Sequence, residues 1–476
     1  MPKQLVLNLF EMNCVSHIVH GLWPYPDNNR HRINDIEYWK ELARLLEYGT
    51  FDAVFLADVI GAYDTFRGGF ETSVKEAMQI PRNDPFIAIA AMAAVTHNLG
   101  FGGTFSTTYE PPFSFAQQIS TLDHLTNGRI GWNIVTSYLP NAARNFGLDE
   151  EIPHDRRFEL ADEYIDVLYK LWEGSWEDDA VLLDRERRIY ADPAKVHYIN
   201  HASEHWKVKG PHLAQPSRQR TPVLFEATGS RAGAEFAGRH AEVVFTGGAP
   251  SELRKYIHLL NERAIAHGRG PGAIKVLVPA TIIVGRTELE ARTKYESYRV
   301  YQSPEGGLAH RRSEIDLTLF PKNAKLADVL PATAKSRWQE LARSQPDLTV
   351  GQLLGRLGGF HEGHFTVVGT PKTIVDAIER WLDEDGIDGI NLVQYLSYQT
   401  ARDFIELVIP ELRRRGRFRE AYNNGETLRE RLFGKGHARL PPEHYGAIYR
   451  NNPAALSGPP SPLVIPPPSA GDEARR

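Results

Sequence analysis

The sequence predicts a (β/α)8 barrel of the TIM type with insertions, an irregular lid insertion and an extended C-terminal segment. Short apolar runs alternate with amphipathic segments about eight times, which favours a parallel barrel over an open doubly wound sheet. The stretch 101–137 forms a strand–helix–strand unit with short connections. Polar side chains occur where apolar strands end, and in such barrels the strand ends form the active site.

The unit at 101–137 is the most informative stretch of the chain. FGGTFSTTY predicts a buried strand that the prolines at 111 and 112 end. Apolar residues at helical spacing predict a helix over 114–125, and Asn127-Gly128 stops it. IGWNIVTS returns to a strand. Any single hydroxyl in these strands is as often satisfied by neighbouring backbone, but six polar residues together favour a ligand site: Thr104, Ser106, Thr107, Asn133, Thr136 and Ser137.

The other elements follow in order along the chain. Apolar runs predict strands at 4–10, 51–58, 222–227, 241–248, 274–285 and 389–395. Amphipathic periodicity and capping residues predict helices at 34–48, 85–98, 153–174, from 230 to about 240, and at 251–266, 371–386 and 400–413.

These elements predict one domain over 1–451 and a Pro-rich disordered tail over 452–476. Two insertions interrupt the domain, an irregular segment with a possible β-hairpin at about 177–210 and a lid at about 301–362. The segment 417–451 has no place in a simple barrel, so we expect it to pair with another subunit of a homodimer or homotetramer.

Composition excludes several classes of function. The formal net charge of −5 at pH 7 argues against a nucleic-acid partner, which requires a basic face. No run approaches the roughly 18 apolar residues of a membrane span, and the N-terminus lacks a signal-peptide pattern. The single cysteine, Cys14, argues against a disulfide framework and predicts a cytoplasmic protein. No HExxH or CxxC spacing occurs, so we expect no metal site.

Three positions outside the 101–137 unit are candidate ligand contacts. Asp58 ends a predicted strand beside a glycine-containing loop, although it could equally cap the following turn. His154 stands at a helix start, where free N–H groups attract a phosphate, or where it simply caps the helix. The turn Thr228-Gly229-Ser230 joins a strand to a helix N-terminus and predicts a second phosphate cradle.

Several long segments resemble the bacterial luciferase-like superfamily, and within it the nitrilotriacetate/dibenzothiophene-sulfone monooxygenase group. They are EMNCVSHIVHGLW, FDAVFLADVIGAYD, TFSTTYEPP, STLDHLTNGRIGWNIVTS, VGTPKTIVDAIERW and GIDGINLVQY. The resemblance covers Lys3 to about Asn451 and is strongest to the branch that oxygenates long-chain alkanes, followed by the branch that oxygenates dimethyl sulfide.

The resemblance implies a TIM-barrel enzyme that uses reduced FMN as a co-substrate. A separate NAD(P)H:flavin reductase would supply FMNH2, which would react with O2 to a C4a-hydroperoxyflavin and insert one oxygen atom into a small apolar or sulfur-containing substrate. Long-chain alkane hydroxylation is favoured, and sulfide or sulfone oxygenation is the alternative. Two rivals are a deazaflavin-dependent dehydrogenase on the same barrel and a non-catalytic flavin-binding protein.

The resemblance also implies roles for individual residues. The flavin contacts would be Asp58, Thr104, Asn133, Thr136, His154, Phe158, Ala227, Thr228, Gly229 and Ser230. The catalytic pocket would hold Cys14, His17, Tyr63, Gln79, Tyr138 and His310. His17 or His310 would transfer the proton at the reacting oxygen, since histidine titrates near neutral pH; a purely structural role is the alternative for each. Cys14 is expected to be an apolar wall residue rather than a nucleophile.

The chain departs from the family pattern at three positions. Phe158 replaces the usual Tyr, so one hydroxyl expected at the phosphate is missing. Glu226 replaces the Gln of a Gln-Ala-Gly turn, which would place a carboxylate near a phosphate dianion unless the side chain points away. Tyr138 stands where the alkane branch has His, which weakens a direct transfer of substrate.

Overall fold

Eight parallel strands close into a barrel in the computed structural model, which describes residues 2–331, 336–360, 364–457 and 462–465. Each strand pairs with the next along the chain, and the last pairs with the first. The predicted TIM-type barrel is confirmed. The strands are β1 (Val6–Met12), β2 (Ala53–Ala57), β3 (Gly100–Ser106), β4 (Ile130–Val135), β5 (Val223–Ala227), β6 (Val243–Phe245), β7 (Lys275–Val284) and β8 (Gly389–Val393).

Helices cover the outside of the barrel and the ends of its strands. They are α1 (Ile36–Tyr48), α2 (Glu71–Lys75), α3 (Pro85–Ala93), α4 (Pro112–Leu125), α5 (Pro140–Asn145), α6 (His154–Tyr169), α7 (Arg231–His240), α8 (Pro250–Ala266), α9 (Glu288–Arg299), α10 (Pro304–His310), α11 (Leu326–Val329), α12 (Ser336–Ser344), α13 (Val350–Leu357), α14 (Pro371–Asp383), α15 (Gln399–Asp403), α16 (Ile409–Arg414) and α17 (Leu428–Phe433). No helix in these described ranges is long and apolar enough to cross a bilayer.

Alternation along the strands separates two apolar layers. Phe10, Phe55, Phe225 and Phe245 fill the barrel interior, with ring centroids 4.9–5.8 Å apart. Residues of opposite parity, such as Trp132 on β4, pack against the helices. Because side chains on a strand point alternately to its two faces, this division decides which polar residues face the interior and which face the helices.

Several predicted boundaries differ from the structure for local reasons. β3 ends at Ser106, before the prolines at 111 and 112, and Pro112 instead occupies the first turn of α4, where its missing N–H costs nothing. The single helix predicted over 400–413 is divided into α15, a π turn (Phe404–Val408) and α16. Pro410 lies at the start of α16, and proline cannot donate the backbone hydrogen bond that a continuous helix needs.

The first insertion contains two small antiparallel hairpins rather than one. Val181–Asp184 pairs with Ile189–Ala191, and His201–Ala202 pairs with Lys207–Val208. The second insertion contains α10–α13 and packs on an apolar cluster that includes Tyr63, Phe66 and Leu139 near the barrel top, as a lid would. Residues 332–335 and 361–362 of the predicted lid lie outside the described residues. An accessory strand, Thr366–Gly369, adds to β7 beside the barrel.

The segment 417–451 closes the N-terminal end of the barrel. Arg429 on α17 is 1% exposed and donates to both carboxylate oxygens of Glu242, at 2.7 and 3.0 Å, and to the carbonyl oxygens of Thr221, Pro222 and Ala438, each at 2.9 Å. This segment therefore has an intramolecular role that the sequence did not reveal. Its pairing with another subunit stays a prediction.

The predicted disordered tail is described only at 452–457 and 462–465. Pro453–Leu456 forms a 3₁₀ turn, and Leu456 and Leu463 are buried against the outer apolar layer. The structure therefore differs from the prediction of disorder at these residues, because two leucines within the Pro-rich sequence have apolar surface to cover. Residues 458–461 and 466–476 lie outside the described residues.

Candidate active site

A cavity of about 720 Å³ opens at the carboxyl ends of the barrel strands. Its wall combines the interior rings Phe10, Phe55 and Phe245 with residues near the starts of α6 and α8 and with Ser230 and Phe236 at α7. Most of the predicted cofactor-binding residues line it, together with one predicted pocket residue: Asp58, Asn133, Thr136, Tyr138, His154, Phe158, Ala227, Thr228, Gly229 and Ser230. The structure thus brings these residues together, while their individual roles stay predictions.

The turn after β5 forms an anion cradle. Ser230 is the N-cap of α7, and its Oγ accepts the Gly233 backbone N–H at 3.1 Å. The Tyr256 hydroxyl donates to the Ser230 carbonyl oxygen at 3.1 Å and fixes the turn from α8. A Cβ placed on Gly229 would meet only Thr246 Oγ1, at 3.8 Å, so the turn faces open space. The first turn of a helix presents N–H groups that have no intrahelical partner, and together with the helix dipole they favour a phosphate at such a turn.

A second helix N-terminus, that of α6, faces the same cavity. The His154 ring lies 5.2 Å from the Phe158 ring, and its Nδ1 is 2.7 Å from Asp155 Oδ1. Arg157, in the same turn, is buried and lines the cavity, and its Nη1 donates to Glu151 Oε2 at 3.1 Å. Sequence reasoning missed Arg157, although its position three residues after His154 places both on one helix face.

Two polar groups at the ends of β2 and β4 face the cavity. Asp58 accepts a hydrogen bond from Arg82, yet burial outweighs this partner and raises the pKa of the Asp58 carboxyl to about 6. Asn133 Nδ2 donates to Thr104 Oγ1 at 2.9 Å, which leaves Asn133 Oδ1 buried without a hydrogen-bond partner among the described residues. A buried amide oxygen of this kind favours a ligand donor.

Thr104 itself is not part of the cavity wall. Its hydroxyl donates to the Leu56 carbonyl oxygen at 2.9 Å and accepts from Asn133. The Thr104 hydroxyl thus makes two hydrogen bonds within the barrel, and its contact with the cofactor stays a prediction. Thr104 orients Asn133.

The other predicted pocket residues form a second cluster beside the cavity, under the lid. Gln79 Nε2 lies 3.4 Å from His310 Nε2 and donates to the His17 carbonyl oxygen at 3.2 Å. The Tyr63 ring lies 5.2 Å from the His310 ring, and the Tyr63 hydroxyl hydrogen-bonds the Tyr138 hydroxyl. Tyr138 lines the cavity, so this contact connects the cluster to it.

Two members of the cluster are held in one ionisation state. Burial raises the pKa of the Cys14 thiol to about 12, and its Sγ donates to the Ser16 carbonyl oxygen at 3.3 Å. This agrees with a wall residue rather than a nucleophile. Burial also lowers the pKa of His17 well below its usual range. His17 is therefore neutral near pH 7, and its ring packs 4.6 Å from Phe10, which favours His310 over His17 for proton transfer.

His310 also has a partner that the sequence did not predict, His20. Since the Gln79 amide donates to His310 Nε2, His310 carries its proton on Nδ1 and donates it to His20 Nε2 at 2.9 Å. His20 Nδ1 then donates to Ser16 Oγ at 3.1 Å. Burial lowers the pKa of His20 well below its usual range. The only sequence signal for His20 was its position three residues after His17.

Arg312, which follows α10, connects the lid to the cavity mouth. Its Nη1 donates to the Tyr138 carbonyl oxygen at 2.8 Å, and its guanidinium lies 5.4 Å from the centre of the Tyr138 ring. Arg312 Nη1 also lies 3.5 Å from Glu151 Oε1, and Glu151 pairs with Arg157. The position of Tyr138 therefore depends on contacts from the lid.

Comparison with known proteins agrees with this geometry. Residues 12–389 match the family model described as luciferase-like monooxygenase. The chain is 50% identical to the long-chain alkane monooxygenase of Geobacillus thermodenitrificans (strain NG80-2), over 95% of this chain and 99% of the relative. It is 42% identical to the dimethyl-sulfide monooxygenase of Hyphomicrobium sulfonivorans, over 95% of each chain. It is 38% identical to nitrilotriacetate monooxygenase component A of Aminobacter aminovorans, over 90% of this chain and 96% of the relative.

Solved structures show the same similarity. A crystal structure of long-chain alkane monooxygenase matches with a TM-score of 0.87 and 50% identity, over 94% of this chain and 100% of that chain. A riboflavin lyase with modified FMN and the substrate riboflavin matches with a TM-score of 0.84 and 37% identity, over 94% of this chain and 100% of that chain. The predicted family is confirmed: the chain belongs to the luciferase-like monooxygenases and is an enzyme of that family.

Proposed function

We propose that the protein is the oxygenase component of a two-component system, which uses reduced FMN and O2 to oxygenate a small apolar or sulfur-containing organic molecule. The observation that supports this most is the two-part wall of the cavity. The wall combines an anion cradle at Ser230 with the aromatic rings of Phe10, Phe55 and Phe245. A flavin mononucleotide has the same two parts, a phosphate and a planar ring system.

The residues present fit this cofactor. Backbone N–H groups of Gly229, Ser230 and the first turn of α7 would hold the phosphate, whereas the Thr228 N–H donates to the Phe245 carbonyl oxygen at 3.1 Å. Asn133 Oδ1, which lacks a partner in the described chain, would accept a ring or ribityl donor. Phe10, Phe55 and Phe245 would pack against the ring system. The cavity volume of about 720 Å³ falls within the range of about 300–1,000 Å³ that is typical of small-molecule sites.

The protein's own contribution to the reaction follows from the second cluster. Bound reduced flavin would supply the electrons that activate O2. The lid would exclude water from the site. With water present, the reduced oxygen would be released as hydrogen peroxide instead of being transferred to the substrate. The Tyr63 and Tyr138 hydroxyl pair reaches the cavity wall, and His310 lies against Tyr63 with its tautomer fixed by Gln79 and His20. We propose that these groups move a proton at the reacting oxygen.

Terminal hydroxylation of a long-chain alkane is the substrate chemistry that we favour, because the alkane relative is 50% identical over nearly the whole chain and the cavity wall is rich in phenylalanine. The alternative is oxygenation of a sulfide or a sulfone. The dimethyl-sulfide relative, which is 42% identical over 95% of each chain, supports this alternative.

The two rival functions, a deazaflavin-dependent dehydrogenase and a non-catalytic flavin-binding protein, are tested by the product screen described below. Structures of two deazaflavin enzymes match with TM-scores of 0.53 and 0.54 but only 15% identity, so they support the fold alone. A deazaflavin-dependent dehydrogenase would need no O2, and a flavin-binding protein would release no product.

The partners follow from the proposed reaction. A NAD(P)H:flavin reductase would supply reduced FMN, consistent with a relative named as component A of a monooxygenase. We also propose a homodimer or homotetramer in the cytoplasm. The buried, free thiol of Cys14 is compatible with a reducing compartment.

The test is a product screen with the purified protein, a flavin reductase, NADH, FMN and air. Long-chain alkanes, dialkyl sulfides and aromatic sulfones are offered separately, and products are identified by mass spectrometry with ¹⁸O₂. We expect one labelled oxygen atom in the product of one class. Turnover that continues without O2, with an oxidised deazaflavin as hydride acceptor in place of FMN, would instead identify the dehydrogenase. Flavin binding without product from any class would favour the binding protein.

A further inference from the structure

Glu226 is a buried acid beside the anion cradle. It lies on β5, and its register partners are Ile134 on β4 and Val244 on β6. Its neighbour Phe225 fills the barrel interior, so the Glu226 side chain points to the opposite face, toward the helices. There Glu226 lines the cavity together with Ile134, Phe158 and Phe236.

The Glu226 carboxyl group has no partner among the described residues. The residue is 2% exposed, and neither Oε1 nor Oε2 accepts or donates a hydrogen bond. An ionised carboxylate in such a place is very costly, whereas a neutral acid is far less so. A buried polar group left unsatisfied in a native chain commonly indicates a ligand contact.

The surroundings keep this acid protonated. Burial alone raises the pKa of Glu226 well above its usual range. The titratable and charged side chains that share the cavity are His154 and Arg157 on α6, Glu252 and Tyr256 on α8, Asp58 after β2 and Tyr138 after β4, and none of them opposes this shift. Near pH 7 Glu226 therefore has one O–H group available as a donor.

A neutral Glu226 would not repel a phosphate bound at the anion cradle. A carboxylate next to a phosphate dianion would repel it, and Phe158 lacks the hydroxyl that the family places there. We propose that Glu226 binds the flavin phosphate as a neutral acid, with its carboxyl O–H donating a hydrogen bond to a phosphate oxygen. The proposal rests on the proposed use of reduced FMN and assigns this chain's own substitution a role in binding.

The test compares reduced FMN with reduced riboflavin, which lacks the phosphate, by anaerobic titration calorimetry at pH 7. Glu226→Leu removes the donor with little change in volume and is expected to weaken FMN binding about tenfold while leaving riboflavin binding unchanged. Glu226→Gln keeps an N–H donor and is expected to stay within about threefold of the wild type for both flavins. An unchanged ratio of the two affinities in Glu226→Leu would overturn the proposal.

Two further measurements distinguish an effect of the protonation state of Glu226 from an effect of the shape of its side chain. Infrared difference spectra should contain the C=O band of a protonated acid at pH 7 in the wild type and lose it in Glu226→Gln; a carboxylate signal instead would overturn the proposal. Above neutral pH, the ratio of FMN to riboflavin affinity should fall in the wild type and stay constant in Glu226→Gln. If the wild type bound neither flavin, both the proposed function and this role would fail, whereas binding of both with unchanged ratios would reject the role of Glu226 alone.

Discussion

The buried carboxyl group of Asp58 makes the stability of the fold depend on pH, and this dependence can be measured. Its side chain is 11% exposed, and burial raises the pKa from 3.8 to about 6 despite the ion pair with Arg82. The folded state therefore binds this proton more tightly than the unfolded state does. Protonation stabilises the fold, and that contribution is lost as pH rises from about 4 through about 6.

A shift of about two pKa units corresponds to roughly 3 kcal/mol between the protonated and the ionised extremes. Asp58→Asn removes this titration, so the stability of the variant relative to the wild type should rise by up to about 3 kcal/mol between pH 4 and pH 7. Arg82, with a side chain 24% exposed, can regain water after the exchange. Urea unfolding at several pH values measures the difference, and Asp149→Asn, at an exposed position, is the control. A difference that is constant with pH, or that falls as pH rises, would refute the reasoning.

Two other predictions concern the closed end of the barrel and the second cluster. Arg429→Ala leaves Glu242 as an unpaired buried carboxylate and should cost about 3–5 kcal/mol of unfolding free energy. The control, Arg439→Ala, removes a side chain that is 38% exposed and pairs with Asp178, and it should cost at most about 1 kcal/mol. Similar losses for the two variants in urea unfolding would contradict the role of the buried pair. His310→Ala should retain the affinity for reduced FMN, because His310 is not in the cavity wall, but should divert reducing equivalents to peroxide. The ratio of peroxide to product measures this against His258→Ala, at an exposed position, and equal coupling in both variants would remove His310 from the mechanism.

The barrel and one half of the candidate site were predictable because their signals are local. Strand ends, helix starts and small-residue turns occur within a few residues of one another, and a parallel barrel brings all its strand ends to one face. Asp58, His154 and Ser230 were therefore placed correctly on one cavity from their positions alone. Arg157 was missed although the same helix start predicts it.

The rest depends on contacts between distant parts of the chain. His20 and His310 are 290 residues apart in the sequence, and no periodicity links a loop after β1 to a lid helix. The pairing of Arg429 with Glu242 spans 187 residues and is equally non-local, so the sequence gives no signal for the place of the segment 417–451. Glu226 is a third case: its conflict with a phosphate was visible in the sequence, but only its burial and its orientation toward the helices indicate a neutral acid.

The most direct test of the account is a crystal structure of the protein with FMN, reduced under anaerobic conditions. We predict that the phosphate lies within hydrogen-bond distance of Ser230 and the first turn of α7, and that the ring system occupies the cavity beside Phe10 and Asn133. A flavin bound outside this cavity, or a phosphate remote from α7, would contradict the account.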